Sequence, residues 1–362
     1  MSPLRSPLTF IGLVAAMLVA ACSAGSGASS SAAPPSAGAP SASASAAATV
    51  SESPSTAEPV KLVVGLGYIP SVQFAPFYLA QQEGWYAEAG LEVEFQNKID
   101  PDLITLVGQG SIDVGIGDGT SVIPAVSQGI PIRYLATVYG KSPNVVFAKA
   151  SSGISTAADL AGKKIGTPGR YGSGWIMLQA LLGSAGLTTE DVEIVEYPDF
   201  TQRAAVEQGA VDAATGFANN EPVQLELDGE QAVVLRVDDI VALPGPGLVA
   251  GTSTLESRRD AIDAFITVTL RAMESIIADP ATGLEAAIVA VPELASARVA
   301  QLAVLNATIE SWTGPVQASD GLGAIDRAGW TASIEYLTSL GLVPNPVTVD
   351  DLIDAGSSRG NY

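Results

Sequence analysis

Short apolar runs alternate with amphipathic stretches along most of this 362-residue chain. The run Lys61-Leu62-Val63-Val64-Gly65 is bounded by glycine and predicts a strand. Pro76 stands where a first helical turn tolerates proline, so a helix is expected to follow. Residues 91–95 alternate apolar and acidic side chains as a half-buried strand does. A helix from Pro101 to about Gly108–Gly110 comes next, followed by strands over 112–116, 132–138 and 145–148. The alternation restarts near 150, with a short helix at 157–160, strands at 163–166, 193–197 and 211–215, and helices over 172–184 and 202–208. After about 245 the pattern changes. LPGPGLVAGTSTL reads as one strand flanked by turns, and long amphipathic helices follow over 258–277, 296–312 and 323–340. Short strands interleaved with helices predict an α/β fold with largely parallel sheets.

One internal match sharpens this picture. VGQGSIDVGIG (107–117) aligns with VEQGAVDAATG (206–216), with five of eleven positions identical. Each reads as a helix end, a glycine cap and a strand that opens with Asp. A match this short can arise by chance; if it does not, two lobes share one plan. GDGTS (117–121) and GFANNEP (216–222) then occupy equivalent places beyond the C-terminal ends of two strands. Open α/β sheets bind ligands at such ends. The expected organisation is a first lobe from 59–149 plus 246–362 and a second lobe from 150–245. The chain would cross between them near 149 and 246, and the C-terminal helices would cover the first lobe.

The N-terminus carries Arg5, an apolar run over 8–21 and then Cys22. That run is too short to span a bilayer comfortably and has the size of a signal-peptide core. Val19-Ala20-Ala21-Cys22 resembles a bacterial lipobox, in which the cysteine is lipidated; the bland alternative is an ordinary secretory signal with an incidental Cys. Residues 23–58 are nearly all Ser, Ala, Gly and Pro and read as a flexible tether. Together these features place a body anchored through lipid on Cys22 on the extracytoplasmic side of the cell membrane.

Composition removes several functions. With 38 Asp and Glu against 17 Lys and Arg, the chain lacks the basic balance of a nucleic-acid partner. There is no histidine, which excludes Ser-His-Asp triads and His-ligated metals. A single cysteine excludes internal disulfides and Cys-cluster metal sites. The commonest enzymatic toolkits are thereby gone, while acidic dyads and lysine chemistry stay open. Only with the family resemblance below does this become the expectation of a monomeric binding protein, not an enzyme, with no cofactor, no metal and no catalytic residues.

Three stretches carry a resemblance to a known family. GYIPSVQFAPFYLAQQEGWYAEAGLEVEF (67–95), DLAGKKIGTPG (159–169) and GFANNEP resemble the SsuA/THI5-like (NMT1) solute-binding proteins. The resemblance covers essentially the whole body. It implies the type II periplasmic-binding-protein fold, two lobes joined by two crossing segments, and delivery of ligand to an ABC permease. It also implies a small heteroaromatic ligand, either riboflavin or a pyrimidine precursor of thiamine, held in the interlobe cleft. Rival readings are an alkanesulfonate- or nitrate-type anion binder, a sensor that signals to a receptor, and a THI5-type pyrimidine synthase. The synthases use an active-site histidine and a cysteine-rich iron motif, both missing here.

Under this reading the strand-end loops supply the candidate ligand contacts, each with a structural alternative. Tyr68 and Gln73 are placed at the cleft with Phe74 or Tyr78 nearby; the structural alternative makes Phe77 and Leu79 helix core and Phe74 a staple. Gly65-Leu66-Gly67 lacks the third glycine of a dinucleotide fingerprint. Asp118 either caps the helix that follows or touches the ligand, or does both. Asp113 and Asp212 read as structural. Tyr171, Ser173 and Trp175 lie in a glycine-rich loop entering a helix, where free N–H groups suit an anion or a carbonyl oxygen. Trp175 is a stacking plate or lobe core, and Arg170 an exposed, solvated cation. Phe200 lines the cleft or merely precedes a helix capped by Thr201. In GFANNEP, Phe217 would pack on a ring, while Asn219, Asn220 and Glu221 offer a mixed donor–acceptor edge. Alternatively, Asn219 or Asn220 caps the helix that Pro222 begins.

Overall fold

The computed structural model describes residues 58–97, 102–240, 243–354 and 356. The expected signal peptide, Cys22 and all but the last residue of the tether lie outside the described residues.

The chain opens with β1 (Val60–Gly65), α1 (Ala75–Gln82), α2 (Trp85–Glu88) and β2 (Leu91–Gln96), and Pro76 sits in the first turn of α1. Next come α3 (Leu103–Gly108), β3 (Val114–Gly117), α4 (Gly119–Ser127) and β4 (Ile132–Thr137). The second lobe follows as β5 (Asn144–Lys149), β6 (Lys164–Thr167), α5 (Gly172–Ser184), β7 (Glu193–Glu196), α6 (Gln202–Glu207), β8 (Ala213–Phe217), α7 (Glu221–Leu227) and β9 (Ala232–Arg236). The chain then returns through β10 (Gly247–Gly251) and α8 (Thr252–Ala278), which is broken at Arg258. It ends with α9 (Pro280–Ala290), α10 (Arg298–Trp312), α11 (Pro315–Asp320), α12 (Arg327–Ser339) and α13 (Val349–Leu352).

Two five-stranded sheets result, ordered β2-β1-β3-β10-β4 and β7-β6-β8-β5-β9. They are built alike. In each, the fourth strand runs antiparallel to both neighbours, while the pairs to its left are parallel. That antiparallel strand is always the one that has just crossed from the other lobe. Sequence periodicity grouped 145–148 with the first lobe; β5 instead lies inside the second sheet, and the crossing falls at 138–143, not near 149. An apolar run identifies a strand but not the sheet that receives it, and consecutive strands are neighbours by default.

The internal match is structural. The Asp113 N–H donates to Val63 O at 2.9 Å, and the Asp113 carboxylate accepts from the Val63 N–H at 2.8 Å. Asp212 makes the same pair of bonds with Lys164, at 2.9 and 2.8 Å. Gly110 and Gly209 end the preceding helices at φ of 73° and 72°, a conformation that glycine adopts without strain. Regular pairing starts only after each Asp, so β3 and β8 begin two residues later than expected. The carboxylate takes the N–H that a ladder would use there.

Each sheet is covered on both faces. Against one face of the first sheet, Phe77 stacks on Phe265 at 6.2 Å and Tyr86 on Phe265 at 5.1 Å. On the opposite face Tyr134 meets Trp330 edge-on at 4.8 Å. Burying such a side chain contributes roughly 1.5–3 kcal/mol. The C-terminal helices do more than cover the first lobe. α10 also packs on α7, and the Tyr336 hydroxyl of α12 donates to Ala180 O of α5 at 2.8 Å. α12 starts at Arg327, not 323, because Gly321 and Gly323 have φ of 90° and 81° and Asp326 caps the Gly329 N–H at 2.9 Å. No helix among the described residues is long and apolar enough to cross a membrane.

Candidate functional site

The loops after β1, β3, β6, β7 and β8 converge on a cavity of about 270 Å³ lined by both lobes. Small-molecule sites usually run from about 300 to 1,000 Å³, so this one suits a compact, flat molecule. Of the residues read from sequence as ligand contacts, Tyr68, Gln73, Phe74, Asp118, Tyr171, Ser173, Trp175, Phe200, Phe217 and Glu221 all line it. Asn219 does not.

Aromatic side chains form much of the wall. Tyr68, from the first lobe, meets Phe200, from the second, edge-on with ring centroids 5.1 Å apart. Phe200 has φ of 60°, the one positive value among described non-glycine residues. For a bulky side chain that conformation is strained, and such strain concentrates at functional loops. Trp175 lines the cavity and also packs against the second-lobe core. Arg170 lies 5.4 Å from its ring centroid and pairs with Glu196 at 3.1 Å, outside the cavity. Phe77 is both helix core and part of the wall. Tyr78 turns away, donating to Asn97 Oδ1 at 2.9 Å.

The polar residues are held by specific partners. Asp118 caps α4: Oδ1 accepts from the Ser121 N–H at 3.0 Å and from the Thr120 hydroxyl at 2.7 Å. Its Oδ2 accepts from Asn144 Nδ2 at 3.0 Å, tying the first lobe to the start of β5. The Ser173 hydroxyl donates to Asn144 Oδ1 at 3.3 Å. Glu221 folds back over the start of α7, with Oε2 accepting from the Phe217 N–H at 2.7 Å and Oε1 from Asn220 Nδ2 at 3.1 Å. Gly216 makes this possible, since a Cβ there would stand 2.8 Å from Glu221 Oε2 and 2.9 Å from Phe147. Asn220 occupies the cap position of α7 without a side-chain capping bond; its Oδ1 accepts from Gln224 Nε2 at 2.7 Å.

Asn219 serves the interface between the lobes. It is 1% exposed, and its Nδ2 donates to Gln73 Oε1 at 2.9 Å and to Thr308 Oγ1 at 2.7 Å. Both acceptors belong to the first lobe's side. Gln73 Nε2 donates to Ser71 Oγ at 3.2 Å, so the Gln73 amide is engaged at both ends. Tyr139, on the crossing segment, lies beside the cluster: burial raises its pKa, against the lowering influence of Asn219 and Thr308.

No Lys or Arg lines the cavity among the described residues, whereas two carboxylates do. Burial holds the Glu221 pKa above its ordinary value, against the lowering effect of the Phe217 N–H, its own N–H, Asn220 and the more distant Arg203. Burial, and secondarily the Glu221 charge, keep the Tyr68 phenol protonated well past its ordinary range. The folded protein therefore retains the Glu221 proton to higher pH than the unfolded chain does. Its contribution favours folding at low pH and is lost as pH rises above 4.5. Relative to the parent, Glu221→Gln is expected to gain stability as pH is raised from 4.5 toward neutrality. Urea unfolding of both proteins across that range checks this, and parallel pH profiles would refute it.

Several wall residues were not read from the sequence. Tyr139 lies on the crossing that periodicity misplaced, and Asn144 follows it. Thr167 ends β6 and Thr215 lies within β8, with the Thr215 hydroxyl donating to Thr167 Oγ1 at 3.2 Å. Gln202 stands one residue beyond the cap position that had been noticed. Among the described residues no group of three or more His, Cys, Asp or Glu is arranged to hold a metal ion.

Known proteins resemble this chain in sequence and in fold. The riboflavin-binding protein RibY of Chloroflexus aurantiacus is 31% identical over 345 residues, covering 94% of each chain. The 4-amino-5-hydroxymethyl-2-methylpyrimidine phosphate synthase of Legionella pneumophila is 27% identical over 179 residues, 49% of this chain and 56% of that one. Among solved structures, the alkanesulfonate-binding protein SsuA from Xanthomonas axonopodis pv. citri, bound to MOPS, superposes with a TM-score of 0.64 at 19% identity, covering 83% of this chain and all of that one. That likeness establishes the periplasmic-binding-protein fold. A family model described as NMT1/THI5 like matches residues 71–283, and with the RibY similarity along nearly the whole length this chain belongs to the NMT1/THI5-like family.

Proposed function

We propose that this protein is the solute-binding component of an ABC importer and captures an uncharged heteroaromatic vitamin or vitamin precursor between its lobes. The observation that carries this reading is the cavity wall: aromatic rings from both lobes, amides, two carboxylates and no described cation. Flat rings stack on aromatic faces, and carboxylate and amide oxygens accept from ring N–H or amino groups. An anionic ligand fits poorly. Helix N-termini are the usual anion sites, and at two of them the protein's own carboxylates take that place: Asp118 as the cap of α4 and Glu221 in the first turn of α7. The start of α5 has no side-chain cap and is left for a ligand carbonyl oxygen. Catalysis of the synthase type has no support, since the chain has no histidine and spans little more than half of the Legionella synthase.

The RibY similarity favours riboflavin, whose ring system would lie in the cavity with its polyol leaving past the half-exposed Tyr171. The small cavity volume favours a pyrimidine precursor of thiamine as the second reading. The body would work as a monomer, anchored outside the membrane through lipid on Cys22, and present its closed form to a permease. Calorimetric titration tests the ligand class. The protein is unfolded and refolded to strip carried-over ligand, then titrated with riboflavin, an aminopyrimidine precursor and MOPS. Submicromolar binding of riboflavin or the pyrimidine is expected. Tight binding of MOPS alone would overturn the reading.

A further inference from the structure

Three buried side-chain atoms lack a hydrogen-bond partner among the described residues: Gln202 Oε1, Asn219 Oδ1 and Trp312 Nε1. Only Gln202 also lines the cavity. Gln202 opens α6 and is 1% exposed. Its orientation is fixed at the other end, where Nε2 donates to Thr215 O at 3.3 Å, and this bond assigns the free atom as oxygen. The residue is seated tightly: a Cβ on Gly166 would stand 3.2 Å from Gln202 Cβ.

A buried amide oxygen without a donor is costly, and native structures keep few of them. The other strong acceptors of the wall are already occupied. Asp118 takes three donors, and each oxygen of Glu221 takes one. Gln202 Oε1 is thus the wall acceptor whose capacity the protein leaves wholly unspent. We propose that Gln202 is a specificity-determining residue, its Oε1 accepting an N–H from the edge of the bound ring. This rests on the heteroaromatic reading above and adds an orientation to it. The ligand turns an N–H edge toward the second lobe, which a flavin's imide or an aminopyrimidine's amine supplies. A site built around such a bond rejects an analogue that lacks the donor, because the buried oxygen is again left unpaired.

The test is a comparison of riboflavin with riboflavin methylated at its imide nitrogen, titrated into the wild-type protein and into Gln202→Met. Wild type is expected to prefer riboflavin by roughly 10- to 100-fold. Gln202→Met is expected to bind riboflavin more weakly by a similar factor and to treat the two ligands alike. Equal binding of the two by wild type, or an unchanged preference in Gln202→Met, would overturn the assignment while leaving the ligand class standing. If Gln202→Met does not fold, the wild-type comparison decides alone: equal binding of riboflavin and its imide-methylated form overturns the assignment. Where wild type binds the aminopyrimidine in place of the flavin, the amine and its dimethylated analogue give the same comparison. Failure of wild type to bind either parent compound would overturn the ligand class, and this assignment with it.

Discussion

Asn219→Leu, at a residue outside the cavity wall, is expected to loosen the two lobes from one another and to weaken ligand binding. The substitution removes both hydrogen bonds that Asn219 Nδ2 makes to Gln73 and Thr308. It leaves Gln73 Oε1 buried without a donor, a penalty of about 1–3 kcal/mol. The arrangement in which these three residues meet bears that loss. Two-lobe proteins bind by closing, and the apparent affinity scales with the fraction of molecules competent to close. A shift of 1.4 kcal/mol toward the open form lowers affinity up to about tenfold. Small-angle scattering is expected to give a larger radius of gyration for Asn219→Leu, and calorimetry a weaker affinity. If scattering, melting and affinity all match the parent, Asn219 is not a clasp.

Phe200→Gly is expected to separate stability from function. At φ of 60° a phenylalanine is strained by on the order of 1–3 kcal/mol, which glycine relieves. Against this stands the lost edge contact with Tyr68 at 5.1 Å, worth roughly 0.5–1.5 kcal/mol, and the greater freedom of glycine in the unfolded chain. These terms nearly cancel, so thermal unfolding should change little. Ligand affinity should drop by tenfold or more, because the ring that reaches across from the second lobe is gone. Phe200→Ala keeps the backbone strain and loses the ring, so it should both melt lower than Phe200→Gly and bind weakly. A loss of stability in Phe200→Gly larger than in Phe200→Ala would show that no strain is stored at this position.

Much of this architecture was legible from residue patterns, for reasons visible in particular residues. Pro76 and Pro222 fall in first helical turns because their missing N–H groups have no partner there in any case. The match around Asp113 and Asp212 could be found because each Asp performs the same pair of backbone bonds, which few other side chains can do. The cavity-facing aromatics stood out because turns need no Phe, Tyr or Trp. What stayed hidden depends on which lobe receives a segment. The 145–148 run carries the same apolar signal in either sheet, so β5 and the lining residue Asn144 were misplaced together. Asn219 and Glu221 look equally suited to a ligand in GFANNEP. Only the approach of Gln73 and Thr308, which lie 146 and 89 residues away, makes Asn219 an interlobe residue. Gln202 gave no signal, because an amide at the start of a helix is ordinary until one learns that its oxygen has no partner.

The central claim is that an uncharged heteroaromatic ring occupies the interlobe cavity. A crystal structure of the protein grown with riboflavin in a buffer containing MOPS puts the two readings in direct competition. The ring system is expected between the lobes, in contact with Trp175 and Phe200 and with an N–H edge toward the second-lobe wall. Density for MOPS in that cavity, with the flavin absent or confined to the surface, would contradict the account.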